Sequence, residues 1–288
     1  MPYIKEIYQN IREKEDAKVQ SKPLVVDKFI QISPGQLAII GSRPSMGKTA
    51  FLLYIIETIL KQQSGNLLFI SNEESEEQLF RKLACQLSSI PLSDIDGMMD
   101  EVMMTFRKTF QSERIILQHL DTPLEKQHEF ILETIARKPV QFLFIDKLQG
   151  IRSSQPRLSR DRHLTSIVQN LKAMAKAHRM AVIAASSLKQ STEKRDGHYP
   201  MLSDLNGPVT LEEYSDMVMM LYRQDYYGIT EDGMGNCLKG VVEALILKNR
   251  GGRCKNIKFS FNEAYPKFLP FRGYLNDTRP LSADRWYH

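Results

Sequence analysis

Cysteine is scarce in this 288-residue chain: Cys85, Cys237 and Cys254 lie far apart and in no metal-ligand spacing. An odd, scattered count argues against a disulfide framework and suits a reducing compartment. No apolar segment follows the N-terminus and no apolar run is long enough to cross a bilayer, so neither a secretory signal nor a membrane partner is expected, and the expected location is cytoplasmic. Internal repeats and low-complexity linkers are also missing, which argues against solenoid arrays and flexible spacers. Charge of one sign is not in large excess. Lys plus Arg is 39 and Asp plus Glu is 34, a net +5, which permits a nucleic-acid partner without arguing for one.

What is present is an ordinary globular balance, 42% hydrophobic and 25% charged, organised as an alternation. The apolar runs "QLAIIG", "NLLFIS", "VQFLFID" and "MAVIAAS", with a weaker "RIILQHL", predict strands. Between them "GKTAFLLYIIETILKQQ", "SEEQLFRKLACQLSSI", residues 97–112, "PLEKQHEFILETIARK" and "RHLTSIVQNLKAMAKAHR" predict helices, and Ser75 with Gln78 resembles a capping box. Strands that are apolar throughout, separated by amphipathic helices, indicate a mainly parallel central sheet covered on both faces, an α/β fold. "MVMMLYR", "VVEALILKN" and "NIKFSF" predict further strands at one side, partly antiparallel. The expected organisation is an N-terminal helical arm (1–34), one large α/β domain (35–272) and a C-terminal tail (273–288). In the arm, Ile4, Ile7, Tyr8 and Ile11 make a thin apolar stripe, which suits either a surface helix of the domain or a helix docked on a neighbouring subunit.

The chemistry concentrates in "GSRPSMGKTA". An apolar strand, a Gly/Pro/Ser loop and a helix beginning near Gly47 would aim backbone N–H groups and a helix N-terminus at an anion. Lys48 can reach β- and γ-phosphates, and Thr49 can place its hydroxyl on Mg²⁺. Five residues separate Gly41 from Gly47, one more than the usual phosphate loop has. The strand "FLFID" ends in Asp146, placed to hold Mg²⁺ opposite Thr49, although a capping Asp would look the same. In "FISNEES", Glu73 and Glu74 stand just past a strand end. A carboxylate there can polarise an attacking water; Glu74 better fits a helix-starting residue, which leaves Glu73 as the base. Lys248 and Arg250 in "ILKNRGGRCK" lie two apart at a strand end, so both can point one way. Composition alone favours a solvated basic turn there over a cation pair for phosphate.

Together these elements resemble the C-terminal motor domain of the DnaB-type replicative helicases, which have a RecA-like P-loop NTPase fold. "RPSMGKTA" is that family's loop wording, with Ser42 at its first position; four residues, 43–46, then precede Gly47 and the spacing is regular. "SNEESEEQLFRKLA", "FIDKLQ", "IVQNLKAMAKAHRMAVIAASSL", "PMLSDL", "DMVMMLYR" and "LKNRGG" continue the likeness in order, over residues 35–262. The resemblance implies ATP and Mg²⁺ at Ser42, Arg43, Pro44, Ser45, Met46, Gly47, Lys48, Thr49, Ala50 and Asp146, and Glu73 as the catalytic base. It implies Arg250 as a finger acting in trans with Lys248 as its companion, a hexameric ring, single-stranded DNA gripped in the channel, and contact with other replication proteins.

The sequence departs from the family's wording at six positions and ahead of its core. Lys147 stands where Tyr is usual. Ser187 stands where a Gln senses the γ-phosphate, and its shorter hydroxyl lacks the amide's donor and acceptor. After Asp204 the usual Arg-Glu-Ser-Gly is Asn206, Gly207, Pro208 and Val209. Losing that Arg removes a phosphate contact, while Gly207 is expected to leave backbone N–H groups open to phosphate. Lys189, Lys194 and Arg195 are further candidates for DNA contact, or else a solvated loop. Residues 1–34 are the expected counterpart of the family's linker helix, where replicative members also carry a separate N-terminal domain. These departures support an alternative, a nucleotide-binding accessory or helicase-interacting protein with weak or no unwinding activity.

Overall fold

Apolar runs bounded by turn residues become strands here, and the amphipathic stretches between them become helices. The computed structural model describes residues 24–27, 30–62, 65–109, 114–155, 157–264 and 266–273. The helix expected over 3–20 and nearly all of the 273–288 tail lie outside the described residues. Strands are β1 (Leu24–Asp27), β2 (Ile30–Ile32), β3 (Leu37–Ser42), β4 (Leu67–Ser71), β5 (Ile115–His119), β6 (Phe142–Asp146), β7 (Ala181–Ser187), β8 (Met217–Tyr222), β9 (Val241–Asn249), β10 (Asn256–Asn262) and β11 (Lys267–Pro270). Helices are α1 (Lys48–Gln62), α2 (Glu76–Ser88), α3 (Met99–Thr109), α4 (Leu124–Arg137), α5 (Arg160–Ala177) and the short α6 (Thr210–Tyr214).

Among the described residues, nine strands form one sheet in the order β11-β10-β9-β8-β3-β7-β6-β4-β5. The run from β8 to β5 is parallel, and β9, β10 and β11 are added antiparallel beyond β8, as the change of texture after Met217 suggested. Alternation along each strand divides the core. Ala38 and Ile40, Phe69, Phe144 and Ile183 face α1 and α2 with Phe51, Ile55 and Ile59. Ile39, Ile70, Ile145 and Val182 face the other layer with Leu164, Ile167 and Leu171 of α5. Both faces are thus dry, which is why these strands read as unbroken apolar runs.

Two elements were not legible. Residues 24–32, grouped above with the arm, form the antiparallel β1–β2 hairpin, and Leu24, Ile30 and Ile32 are buried in the same core as α1. Strand β11 closes the antiparallel edge and buries Phe268 against Phe51, with ring centroids 5.0 Å apart. The N-terminus of α2 carries the expected capping box: Ser75 Oγ accepts from Gln78 N at 3.2 Å, and Gln78 Oε1 accepts from Ser75 N at 3.0 Å.

Register is what makes a site. Ser42 pairs with Ser187 across β3 and β7, and Ser71 pairs with Asp146 across β4 and β6. The carboxyl ends of four adjacent strands therefore lie along one edge, with β3 and β7 running about two residues beyond β4 and β6, the edge where open α/β sheets bind ligands.

Candidate active site

The loop between β3 and α1 winds tightly. Ser45 (φ 61) and Gly47 (φ 86) take left-handed backbone, which turns successive N–H groups towards one point. Gly47 is also closely covered: a Cβ there would meet Phe268 Cζ at 3.3 Å and Phe261 Cζ at 3.4 Å. Helix α1 starts at Lys48, with Phe51 N donating to Gly47 O at 2.8 Å. Met46 is buried and anchors the loop. The side chain of Arg43 turns away from this cradle. It pairs with Glu193 (Nε to Oε1 2.9 Å) and donates to Leu188 O at 3.0 Å, so it ties the phosphate loop to the segment after β7.

Across the cradle, Thr49 Oγ1 donates to Asp146 Oδ2 at 2.6 Å. Asp146 is 2% exposed, and its other oxygen, Oδ1, is buried without a hydrogen-bond partner. An orphaned carboxylate oxygen beside a hydroxyl, next to a phosphate loop, fits a hard divalent cation such as Mg²⁺. No group of three or more His, Cys, Asp or Glu side chains able to hold a metal occurs among the described residues; a site completed by phosphate oxygens and water does not need one. Burial raises the Asp146 pKa, opposed by the Thr49 hydrogen bond and the Lys48 charge. Burial likewise lowers Lys48, opposed first by Asp146. The Asp146 charge is thus stabilised first by Thr49 and then by Lys48, that of Lys48 first by Asp146, and both favour an incoming ligand that supplies compensating charge.

Glu73 and Glu74 both precede α2. Ser71 Oγ accepts their N–H groups at 3.2 and 2.8 Å. Glu74 is tied to Lys82 at 2.6 Å, whereas the Glu73 side chain is 47% exposed and paired with Lys147. Sequence reasoning passed over two more residues here. Asn72 Nδ2 donates to Lys147 O and Asn72 Oδ1 accepts from Lys147 N, joining the ends of β4 and β6. Gln149 donates to Ser186 Oγ (2.8 Å) and Asn206 O (2.9 Å) and accepts from Ser187 N (3.0 Å). It brings an amide to the place where Ser187 lacks one, and only its position in the phrase "FIDKLQ" marked it.

Two expectations for the loop after β7 change. Asn206 N–H donates to Ser187 O at 3.0 Å and Gly207 N–H to Leu205 O at 2.9 Å, so neither is open to phosphate. The glycine is required for close packing instead: a Cβ on Gly207 would meet Leu211 Cδ1 at 2.4 Å. Arg195 is turned inward, to Asp204 (2.9 and 3.1 Å) and Tyr199 O. Lys189 and Lys194 are exposed, with Lys189 Nζ donating to Ser203 O at 2.9 Å.

Lys248 and Arg250 point the same way, as their spacing required. Lys248 Nζ donates to Glu212 O at 2.6 Å and Arg250 to Glu213 O at 2.9 Å, and the Arg250 side chain is 55% exposed. They are not brought to the phosphate loop. Lys248 pairs with Val218, which pairs with Ile39 near the start of β3, while the phosphate loop follows the end of β3.

Beside the loop, a cavity of about 780 Å³ is lined by Arg223, Tyr226, Lys239 and Phe261 among others. Arg223 lies over the Phe261 ring, 5.1 Å from its centroid. Among the described residues no helix is long and apolar enough to cross a membrane.

The family described as "DnaB-like helicase C terminal domain" matches residues 20–270. The "Probable replicative DNA helicase" of Trieres chinensis is 32% identical over 248 residues, covering 82% of this chain and 53% of that protein. "Replicative DNA helicase DnaB" of Geobacillus stearothermophilus is 28% identical over 276 residues, covering 91% and 60%. The chain thus spans a little over half the length of these relatives. Among solved structures, one described as an "ATPase Domain" superposes with a TM-score of 0.79 at 23% identity, over 94% of this chain and 99% of that one. "The Structure Of A DnaB-Like Replicative Helicase And Its Interactions With Primase" gives 0.77 at 23%, over 94% and 67%. The fold is therefore the RecA-like one, and with the family match spanning most of its length, the chain belongs to the DnaB-like helicase C-terminal domain family.

Proposed function

We propose that the chain is an ATP-hydrolysing motor of the DnaB type, acting on single-stranded DNA as a hexameric ring, with the β1–β2 hairpin part of the motor rather than of the arm. The observation that carries this is the orphaned, buried Asp146 Oδ1 beside Thr49 and Lys48, under a loop with two left-handed residues. Backbone N–H groups of residues 45–49 and the Lys48 ammonium hold the phosphates. Mg²⁺ bound at Thr49 and Asp146 would neutralise charge on the β- and γ-phosphates. Glu73 orients the attacking water and takes its proton. The base of the nucleotide occupies the cavity beside Gly47, against Arg223 and Phe261. Lys248 and Arg250, remote from their own loop, complete the site of the neighbouring subunit, where an arginine finger stabilises charge in the transition state.

DNA contact rests on Lys189 and Lys194 rather than on open backbone donors. Two links would carry nucleotide state to that segment: Arg43 with Glu193, and Gln149 with Ser187 and Asn206. The Gln149 amide offsets the loss at Ser187, so a merely accessory role is not favoured. Unwinding of a forked duplex by the full chain with ATP and Mg²⁺ tests the reading. Strand separation that is absent in Lys48→Ala supports it, and a wild type that separates nothing at any ATP concentration overturns it.

A further inference from the structure

Lys147 has no part in the reaction as described above, yet it sits among the groups that carry it out. It follows Asp146 at the end of β6, and its ammonium is paired with the Glu73 carboxylate at the end of β4. Backbone contacts hold both partners in place. Asn72 N–H donates to Asp146 O at 2.9 Å, and the Asn72 side chain brackets the Lys147 peptide groups at 3.0 and 3.1 Å. Gly150 makes room for that bracket: a Cβ there would stand 2.0 Å from Asn72 Oδ1. On the other strand, Ser71 Oγ fixes the Glu73 N–H. The Lys147 side chain is 24% exposed, so the pair is neither sealed nor freely solvated.

We infer that Lys147 is a positioning residue that restrains the base: it holds the Glu73 carboxylate in an ion pair, and hydrolysis proceeds when that pair opens. This rests on the motor reading above. In the transfer itself, the water oxygen bonds to the γ-phosphorus, the water proton passes to Glu73, and the bond to the bridging oxygen breaks to leave ADP. Lys147 neither gives nor takes a proton in that balance. Its action is to occupy a carboxylate oxygen that the water proton needs. Lys48 already supplies the ammonium of the phosphate loop, and Lys147 is anchored towards Glu73 by its own backbone, so a role as a second phosphate ligand is the less economical reading.

The test uses the full chain and the variants Lys147→Met, Lys147→Gln and Lys147→Arg, each checked for an unchanged melting temperature. Two readouts are taken: ATP turnover with and without single-stranded DNA, and calorimetric affinity for a non-hydrolysable ATP analogue. Lys147→Met and Lys147→Gln are expected to raise DNA-independent kcat about two- to fivefold, the range a half-exposed ion pair supports. KM and analogue affinity should hold within about twofold, since ground-state binding is untouched. Lys147→Arg, which keeps a cation opposite Glu73, should return turnover towards the wild-type value. A fall in kcat, or analogue binding lost with Lys147→Met, overturns the inference. A wild type active with DNA and a Lys147→Met variant identical to it overturns this inference alone. Silence in both wild type and variant overturns the motor reading with it.

Discussion

Two variants that are each inactive should recover activity when mixed. Lys48→Ala removes the ammonium of the phosphate loop and leaves Arg250 intact; Arg250→Ala does the reverse. Lys248 pairs with Val218 at the start of β8, and Arg250 N–H donates to Asp216 O just before it; the start of β8 pairs with the start of β3, whereas Lys48 follows the end of β3. The span from Ile39 to Ser42 alone is about 10 Å, and both cations reach away from it to the carbonyls of α6. On the proposed reading, a neighbouring subunit therefore completes the site. In a one-to-one mixture with random assembly, a working interface needs an intact loop on one side and an intact Arg on the other. Half of one half, about a quarter, of the interfaces then qualify, whatever the number of subunits. Phosphate release in the presence of single-stranded DNA, measured after subunit exchange, should approach that fraction of the wild-type rate. Wild type doped with Lys48→Ala reports how far silent neighbours slow working sites, and the expected fraction is scaled by that factor. Mixtures shown by native mass to share particles, yet no more active than either variant alone, would refute the trans-acting assignment. So would an Arg250→Ala chain with full activity by itself.

Phe268→Ala should destabilise the fold by about 3–5 kcal/mol, the usual range for deleting a fully buried ring, and should weaken nucleotide binding as well, because the ring lies 3.3 Å from the Cβ position of Gly47; urea unfolding and nucleotide titration read the two effects. Gly150→Ala should lower ATP turnover through displacement of Asn72 while Phe268 packing stays intact, so a variant of wild-type turnover would show that the Asn72 bracket is dispensable. Burial first, then the charges of Glu243, Tyr227 and Tyr199, push the pKa of the Tyr222 phenol up to about 12. The folded state thus holds a proton that the unfolded chain releases near pH 10, so this group's contribution to stability is complete below pH 10 and is lost as pH rises towards 12. Denaturation midpoints between pH 10 and 12 should fall more steeply in wild type than in Tyr222→Phe, and identical slopes would contradict the assignment.

The parallel half of the sheet was legible because its strands are apolar on both faces and its helices amphipathic on one, so periodicity alone separates them. The phosphate loop, Asp146 and Glu73 were legible because each sits where a strand meets a turn. The β1–β2 hairpin was not. Its buried set is only Leu24, Ile30 and Ile32, too few residues to show a period. Strand β11 offers four residues with one buried ring, Phe268, and its identity as a strand depends wholly on pairing with β10. The pairings of the Arg43 and Arg195 side chains were not legible for a different reason. A basic residue near a phosphate loop or a DNA-facing loop looks available in sequence, but Glu193 and Asp204, 150 and 9 residues away, claim them in the fold. Gln149 shows the converse: an ordinary polar residue gains significance only because β6, β7 and the 206 loop converge on its amide.

The most direct test of the central claim is the rate of phosphate release by the full chain with Mg²⁺ and ATP, with and without single-stranded DNA, beside Glu73→Gln. The structure predicts hydrolysis that DNA stimulates and that Glu73→Gln removes by about a hundredfold or more, the usual contribution of a positioned base, with nucleotide still bound. A Glu73→Gln chain that hydrolyses ATP like the wild type, or a wild type whose slow turnover ignores DNA, would contradict it.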